Sequence, residues 1–371
     1  MDFDFSDDQE QLRDAVRKWV DKGYTFERRR EITQAGGFDR AAYTELAELG
    51  LCGLYVSEDQ GGMGMGPVEG MVVMEELGRG IVLEPVQQAL IAGAVLEAYA
   101  ADALKAEWLP KIASGEAIVV LAQQERKARY NLSKCDTQAQ QQEGQWNITG
   151  TKSMVAVGDH ADAFLVPAMA AGKLALFLVA QGAKGAATSG YITQDGGRAA
   201  ELSLNQTPAS LVSLNGLTAL KHAVDIGIAC VCAEGVGVMD KTLAITVDYM
   251  NTRKQFNTTI ATFQALRHRV ADMKMQLELG RSMSYYASLK LNEPATERHQ
   301  ALARAKYQLG TSMRFIGQQA VQLHGGIGVT DEYIVSHYFK KLTQLEMTFG
   351  DTLHQLGEVS SSMQETAGVF A

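Results

Sequence analysis

Three long stretches of helical patterning dominate the last part of this chain: Leu211–Asn251, Phe263–Leu291 and Pro294–Leu323. Read as one helix, the first alone would run roughly 60 Å at the usual rise per residue. Helices of that length pack as a bundle, with outer faces that meet other subunits. Shorter helical pieces follow to the end of the chain.

The texture upstream differs in two steps. From Ser6 to about Gly115 the pattern is helical. Ser6 with Gln9 forms a capping box ahead of "LRDAVRKWV", and Gly50 stops "AAYTELAELG". Pro67 and Pro85 each stand ahead of a helical stretch, where a missing N–H costs least. From about Glu116 to Ser210, short runs such as "AIVVLA", "QWNITG", "TKSMVAV", "AFLVPAM" and "LALFLVA" alternate with Gly, Asn and Asp. These read as strands of a small all-β domain. The expected order is therefore an N-terminal helical domain at 1–115, a middle β domain at 116–210 and a C-terminal helical bundle at 211–371. No internal repeat or low-complexity linker interrupts it.

Charge and cysteine content exclude several classes. Across 371 residues, 43 acids outnumber 34 Lys and Arg, so the chain has no global attraction for nucleic acid. The one obvious basic cluster, "FERRRE" (Phe26–Glu31), reads as a solvated helix end. No apolar run approaches the roughly 20 residues of a bilayer span. The acidic start "MDFDFSDDQE" is unlike a targeting peptide, so a cytoplasmic location is expected. Cys52, Cys135, Cys230 and Cys232 lack paired spacing and read as buried thiols. The scattered histidines offer no zinc pattern, so metal chemistry is not expected.

Two glycine-rich stretches, "GGMGMG" (Gly61–Gly66) and "GVGVMD" (Gly235–Asp240), fail the dinucleotide test. The first follows no strand and the second lies within a helical pattern, where glycines allow close helix packing. Two other stretches are more informative. "YMNTRKQFNTTIATFQALRHRVADM" joins the first long helix to the second, and "QLHGGIGVTDEY" ends the third in a glycine turn. Arg253 can bind a phosphate bidentately, and Gly325–Gly326 let backbone approach a ligand. Taken singly, an ion pair and a helix stop explain them better.

With "LAELGLCGLYVSEDQGGMGMGPVEGMVVMEELGR", "EWLPKIASGE" and "GTKSMVAVGDHADAFLV", these motifs resemble the acyl-CoA dehydrogenase family over essentially the whole chain. The resemblance implies a helical domain, a β-barrel and a four-helix bundle, bound FAD, and tetramers built as pairs of dimers. It also implies an acyl-CoA substrate and transfer of electrons to an electron-transfer flavoprotein. In that family the nucleotide tail of each FAD is held largely by the neighbouring subunit. The matching positions here are Arg253, Gln255, Phe256, Ile260 and Phe263, then Gln322, Gly325 and Gly326, and all are serviceable.

The flavin-ring half departs from the pattern. Where members carry T-E-P-x-x-G-S-D, this chain has "QERKARYNL": Gln124 replaces the threonine, Glu125 matches, and Arg126 replaces the proline. Where members carry G-x-K-W-I-T/S-N, Met154 replaces the tryptophan, and Ala156, which has no hydroxyl, cannot donate a hydrogen bond. The catalytic glutamate of Y-E-G-T aligns with Gly350 of "FGDT", and the alternative base position in the first long helix aligns with Gly227. Asp351 is displaced by one residue and shorter by one methylene; helix capping explains it without proton transfer. Asp225 lies on another face. The implied role is the non-catalytic subunit of an α2β2 acyl-CoA dehydrogenase, which lends its clamp to a sister chain. Such two-gene enzymes act on bulky or dicarboxylic acyl-CoAs, steroid side chains and pimeloyl-CoA among them. The alternative is a self-sufficient flavoenzyme using Asp351 as base, or a monooxygenase of the same fold that needs none.

Overall fold

The computed structural model describes residues 5–366. Of the acidic N-terminal stretch, the first four residues lie outside the described part. In chain order come α1 (Asp7–Gly23), α2 (Phe26–Gln34), α3 (Arg40–Glu48), α4 (Pro67–Arg79), α5 (Val86–Tyr99) and α6 (Asp102–Ala113). Seven strands follow: β1 (Val119–Leu121), β2 (Gln138–Gln142), β3 (Gln145–Ala156), β4 (Ala163–Ala170), β5 (Lys173–Ala180), β6 (Ala186–Ile192) and β7 (Arg198–Ser213). Then come α7 (Gly216–Thr252), a hairpin of β8 (Lys254–Gln255) and β9 (Thr258–Thr259), α8 (Gln264–Leu289), α9 (Ala295–His324), α10 (Ile334–Met347) and α11 (Thr352–Thr366).

Local signals act where they are written. Ser6 accepts from the Gln9 backbone N–H while the Gln9 side chain accepts from the Ser6 N–H, completing the capping box. Gly50, at φ 80°, ends α3 in the left-handed conformation that a side chain disfavours. Pro67 opens α4 at its first position.

The chain forms two compact units, neither of them continuous in sequence. In one, Arg29–Gly66 and Leu83–Gly227 gather α3, α5, α6 and the β-sheet. Strands β4, β2, β3, β7 and β5 are paired in that order, and β5 pairs back to β4, which closes a five-stranded barrel. Closure removes the open edges of these strands. β1 adds to β4 in parallel and β6 adds to β7. Both faces of the central strands are covered by apolar side chains: Phe164, Val166, Leu176, Phe177 and Leu202 are fully buried although Leu176 and Phe177 point to opposite faces of β5. Because β7 runs through Ser213, the expected helix start at Leu211 is corrected to Gly216. "LVS" continues the barrel ladder against β5, and that pairing outweighs its helical periodicity. The basic cluster also needs correction. Arg29 is 1% exposed and donates to the Asp195 carbonyl in the turn between β6 and β7, so part of the cluster is an internal anchor.

The other unit joins α1 and α4 to most of α7 and to α8–α11. α9 packs on α8, α10 and α11, and α1 packs on α4. The glycines of "GVGVMD" serve a helix crossing. A Cβ at Gly237 would lie 1.8 Å from the Glu75 carbonyl oxygen, and one at Gly78 would lie 2.2 Å from that of Glu234. Only glycine lets the α4 and α7 backbones touch there. The statement about apolar runs is corrected as well: α7 contains a window of mean hydropathy 1.5, apolar and long enough to cross a membrane. That window is 94% buried within the protein, which makes it a core helix of the bundle.

Candidate functional site

The clamp residues gather at one end of the bundle. The Arg253 N–H donates to the Tyr249 carbonyl (2.8 Å), and its own carbonyl receives the Ile260 N–H (2.9 Å), which closes the β8–β9 hairpin. Phe256 (φ 56°) and Asn257 (φ 65°) form its two-residue turn, both in the left-handed region that such turns demand. A phenylalanine there is costly, and Phe256 is also 86% exposed. It meets Phe263 edge-on, with ring centroids 6.1 Å apart. Ile260 is buried and anchors the loop, whereas Arg253 and Gln255 are exposed.

Gln322 is exposed on the last turn of α9, and Gly325 follows at φ 65°. A Cβ built on Gly325 or Gly326 meets nothing within 4 Å, so both glycines border open space. The Tyr249 hydroxyl donates to the His324 carbonyl (3.3 Å), and the two rings stack 4.4 Å apart. This contact brings the end of α7 and the end of α9 together, and with them the two halves of the clamp. Sequence reasoning missed Tyr249 and His324; their positions, one turn before Arg253 and next to Gly325, are the available signal. A guanidinium, an amide, exposed aromatic rings and unobstructed backbone fit the phosphates and adenine of an FAD tail.

The residues expected at a flavin ring do something else. Glu125 is buried and accepts from Lys152 Nζ (2.7 Å), Thr137 Oγ1 (2.6 Å) and the Asp136 N–H (2.6 Å). Burial alone would raise its pKa, but these donors hold it down to about 2. Glu125 is therefore a structural anchor that ties its loop to β3. Met154 occupies a bulge of β3 at φ 55°, 54% exposed, with its sulfur 3.1 Å from the Tyr191 hydroxyl. Ala156 offers no side-chain donor, and the nearby Ser153 hydroxyl is buried and donates to Glu201 (3.1 Å).

The turn at Gly350, where the resemblance places the base, is tightly packed. Gly350 has φ 112°, and a Cβ there would lie 2.4 Å from Gln355 Nε2 and 2.7 Å from His354 Cδ2. Gln355 is buried and donates to the Phe349 carbonyl (3.0 Å). Lys306, fully buried, donates to the carbonyls of Glu346 (2.7 Å) and Gly350 (3.1 Å) and fixes the same turn. Burial lowers its pKa to about 8. Asp351 Oδ1 accepts from the His354 N–H (2.8 Å), three residues on, as an N-cap does. At the alternative base position, the Gly227 carbonyl accepts from Gln87 Nε2 (3.1 Å). No group of three metal-type ligands is arranged to hold an ion among the described residues.

A barrel between helical segments, with Arg253, Gln322 and Gly325–Gly326 gathered at a bundle end, is the arrangement expected of a flavoprotein oxidoreductase of the acyl-CoA dehydrogenase type. Comparison with known proteins makes the class definite. The family model for the acyl-CoA dehydrogenase C-terminal domain matches residues 215–363, and that for the N-terminal domain matches 6–116. FadE12 of Mycobacterium tuberculosis, an acyl-CoA dehydrogenase, is 30% identical over 355 residues, covering 89% of each chain. FadE27 of the same organism is 28% identical, covering 99% of this chain and 100% of its own. Among solved structures, the ChsE4-ChsE5 complex from M. tuberculosis superposes with TM-score 0.89 at 27% identity, covering 100% of both chains. The Tcur3481-Tcur3483 steroid ACAD superposes with TM-score 0.90 at 26% identity, covering 97% of this chain and 98% of that one. The chain belongs to the acyl-CoA dehydrogenase family, whose fold it has throughout and whose cofactor is FAD.

Proposed function

We propose that this chain is the non-catalytic subunit of an α2β2 acyl-CoA dehydrogenase. It supplies the tail half of an FAD site whose ring half and base stand in a sister chain. The observation that carries this reading is the contrast between the exposed clamp at Arg253, Phe256 and Gly325–Gly326 and the base position at Gly350, filled by Gln355 and His354. Neutral drift would not sort the losses onto one half-site. Two solved neighbours, named as the pairs ChsE4-ChsE5 and Tcur3481-Tcur3483, support a two-gene assembly, and the second name supports a steroid acyl-CoA as substrate.

FAD, when bound, supplies the hydride acceptor for α,β-desaturation of the acyl-CoA, and the electrons go on to an electron-transfer flavoprotein. The work of this chain is binding. Arg253 and Gln255 would hold the pyrophosphate, Phe256, Ile260 and Phe263 would offer apolar surface to the adenine, and Gln322 with the glycines at 325 and 326 would leave room for the tail. Its four thiols are all free, which agrees with a reducing, cytoplasmic setting.

Expressed alone, the chain should purify colourless and inactive. Expressed with the sister gene, it should give a yellow complex that oxidises a bulky acyl-CoA. A yellow, active assembly of this chain alone would sink the proposal.

A further inference from the structure

His324 stands at the junction of the two halves of the clamp and is 3% exposed. Its Nδ1 lies 2.8 Å from the Ala320 carbonyl oxygen, which can only accept, so Nδ1 carries the ring proton. In the neutral imidazole Nε2 is then a bare acceptor. This buried atom has no hydrogen-bond partner among the described residues. Two phenols flank the ring. Tyr249 of α7 stacks on it at 4.4 Å, and Tyr333, in the loop before α10, is tilted against it at 5.3 Å. The turn Gly325–Val329 covers a further side, where a Cβ on Gly328 would lie 3.0 Å from that of His324.

No charge answers a proton here. Tyr333 stays a neutral phenol, its pKa raised by burial, and the Tyr249 hydroxyl is spent on the His324 carbonyl. Asp248 acts on Tyr333 rather than on the imidazole. His337 of α10 meets the Asp331 carbonyl at 3.0 Å. Burial draws the His324 pKa below its ordinary 6.5, and only the Ala320 carbonyl opposes that. A proton on Nε2 would make a buried N–H with neither acceptor nor counter-ion.

We propose that His324 is a proton-sensitive pin of the clamp: the neutral ring ties the end of α7 to the end of α9, and the protonated ring moves out to water and lets them part. His324 is a positioning residue, acting through the Tyr249 stack on Arg253 and Gly325–Gly326. The inference deepens the function proposed above and rests on it in taking an FAD tail as what the clamp holds. Its sign follows from linkage. Opened, the imidazole has its ordinary pKa near 6.5; closed, a lower one. The open form therefore binds more protons as pH falls below 6.5. Opening gains at most about tenfold per pH unit, the limit for one proton. Acid loosens the hold on the nucleotide.

Amide hydrogen exchange of the full chain, read by mass spectrometry and corrected for the intrinsic effect of pH, measures the opening directly. Protection of residues 246–253 and 320–328 should fall about three- to tenfold from pH 7.5 to 5.5, while strands β3 and β7 keep theirs. His324→Phe keeps a ring for Tyr249 but takes no proton, and should show no acid loss. His324→Gln, also without a proton to gain, serves in its place should the Phe variant not fold. Tyr249→Phe removes only the bond to the His324 carbonyl, so it should lower protection equally at every pH and leave the acid slope. A flat wild-type profile overturns the inference. So does an acid loss that survives at position 324 without histidine, which would belong to His337 or another group. In the complex with the sister chain, bound FAD should raise protection of the same two segments. FAD that leaves them unchanged would remove the clamp reading and not the pin.

Discussion

At the scale of single residues, Lys152 and Glu125 are the tightest constraint in the β unit. Lys152 is fully buried, and its ammonium is tolerated because Glu125 meets it at 2.7 Å. Glu125→Gln would leave that charge without its counter-ion and should cost about 3–5 kcal/mol in urea unfolding at neutral pH. The pH sense follows from the direction of the shift. The folded Glu125 pKa is held below its ordinary 4.5, so its contribution is present above that value and is lost as pH falls toward about 2. The substituted protein should lack this part of the acid slope. Gly350 makes a different point: returning the family glutamate there meets φ 112° and the Gln355 side chain. Gly350→Glu should therefore destabilise by roughly 1–3 kcal/mol and restore no dehydrogenation; a melting curve and a turnover assay check both. Asp351→Asn keeps an N-cap and should leave turnover of the complex unchanged. Loss of turnover would make Asp351 the base after all.

At the scale of elements, the α4–α7 crossing depends on the absence of side chains. Gly237→Ala would drive a methyl into the Glu75 carbonyl and should cost more than about 2 kcal/mol. Gly357 lies in α11 with nothing within 4 Å of a Cβ, so Gly357→Ala should stabilise by about 0.5–1 kcal/mol. Thermal unfolding of the pair separates packing from helix propensity. The same contrast shows what the sequence could tell. The Ser6–Gln9 capping box, the stop at Gly50 and the glycines of "GVGVMD" were legible because each acts within a few residues or within one crossing. The polar strand β2 and the extension of β7 to Ser213 were not, because barrel closure decides them. Arg29 read as solvated, since its partner is the carbonyl of Asp195, 166 residues away. At the site, motifs located Arg253, Gln322 and Gly350. The stack of Tyr249 on His324 is a contact between segments 75 residues apart that no motif records, and the return of Gln355 onto Gly350 depends on a turn geometry that no motif records.

At the scale of the whole molecule, the proposed function is that this chain keeps one half of a cofactor site and that an assembly of unlike chains completes it. On that reading, a homomer would pair every clamp with a β domain that carries Met154 and Ala156 at the ring positions and with Gly350 at the base position. On the same reading, a heteromer would hold FAD only where this clamp meets the sister chain's ring site. Flavin counting tests that most directly: the purified co-expressed complex is sized by mass, and its released FAD is quantified by absorbance. The account predicts one FAD for each pair of unlike chains and none in this chain alone. One FAD for every chain, or flavin held by this chain without a partner, would contradict it.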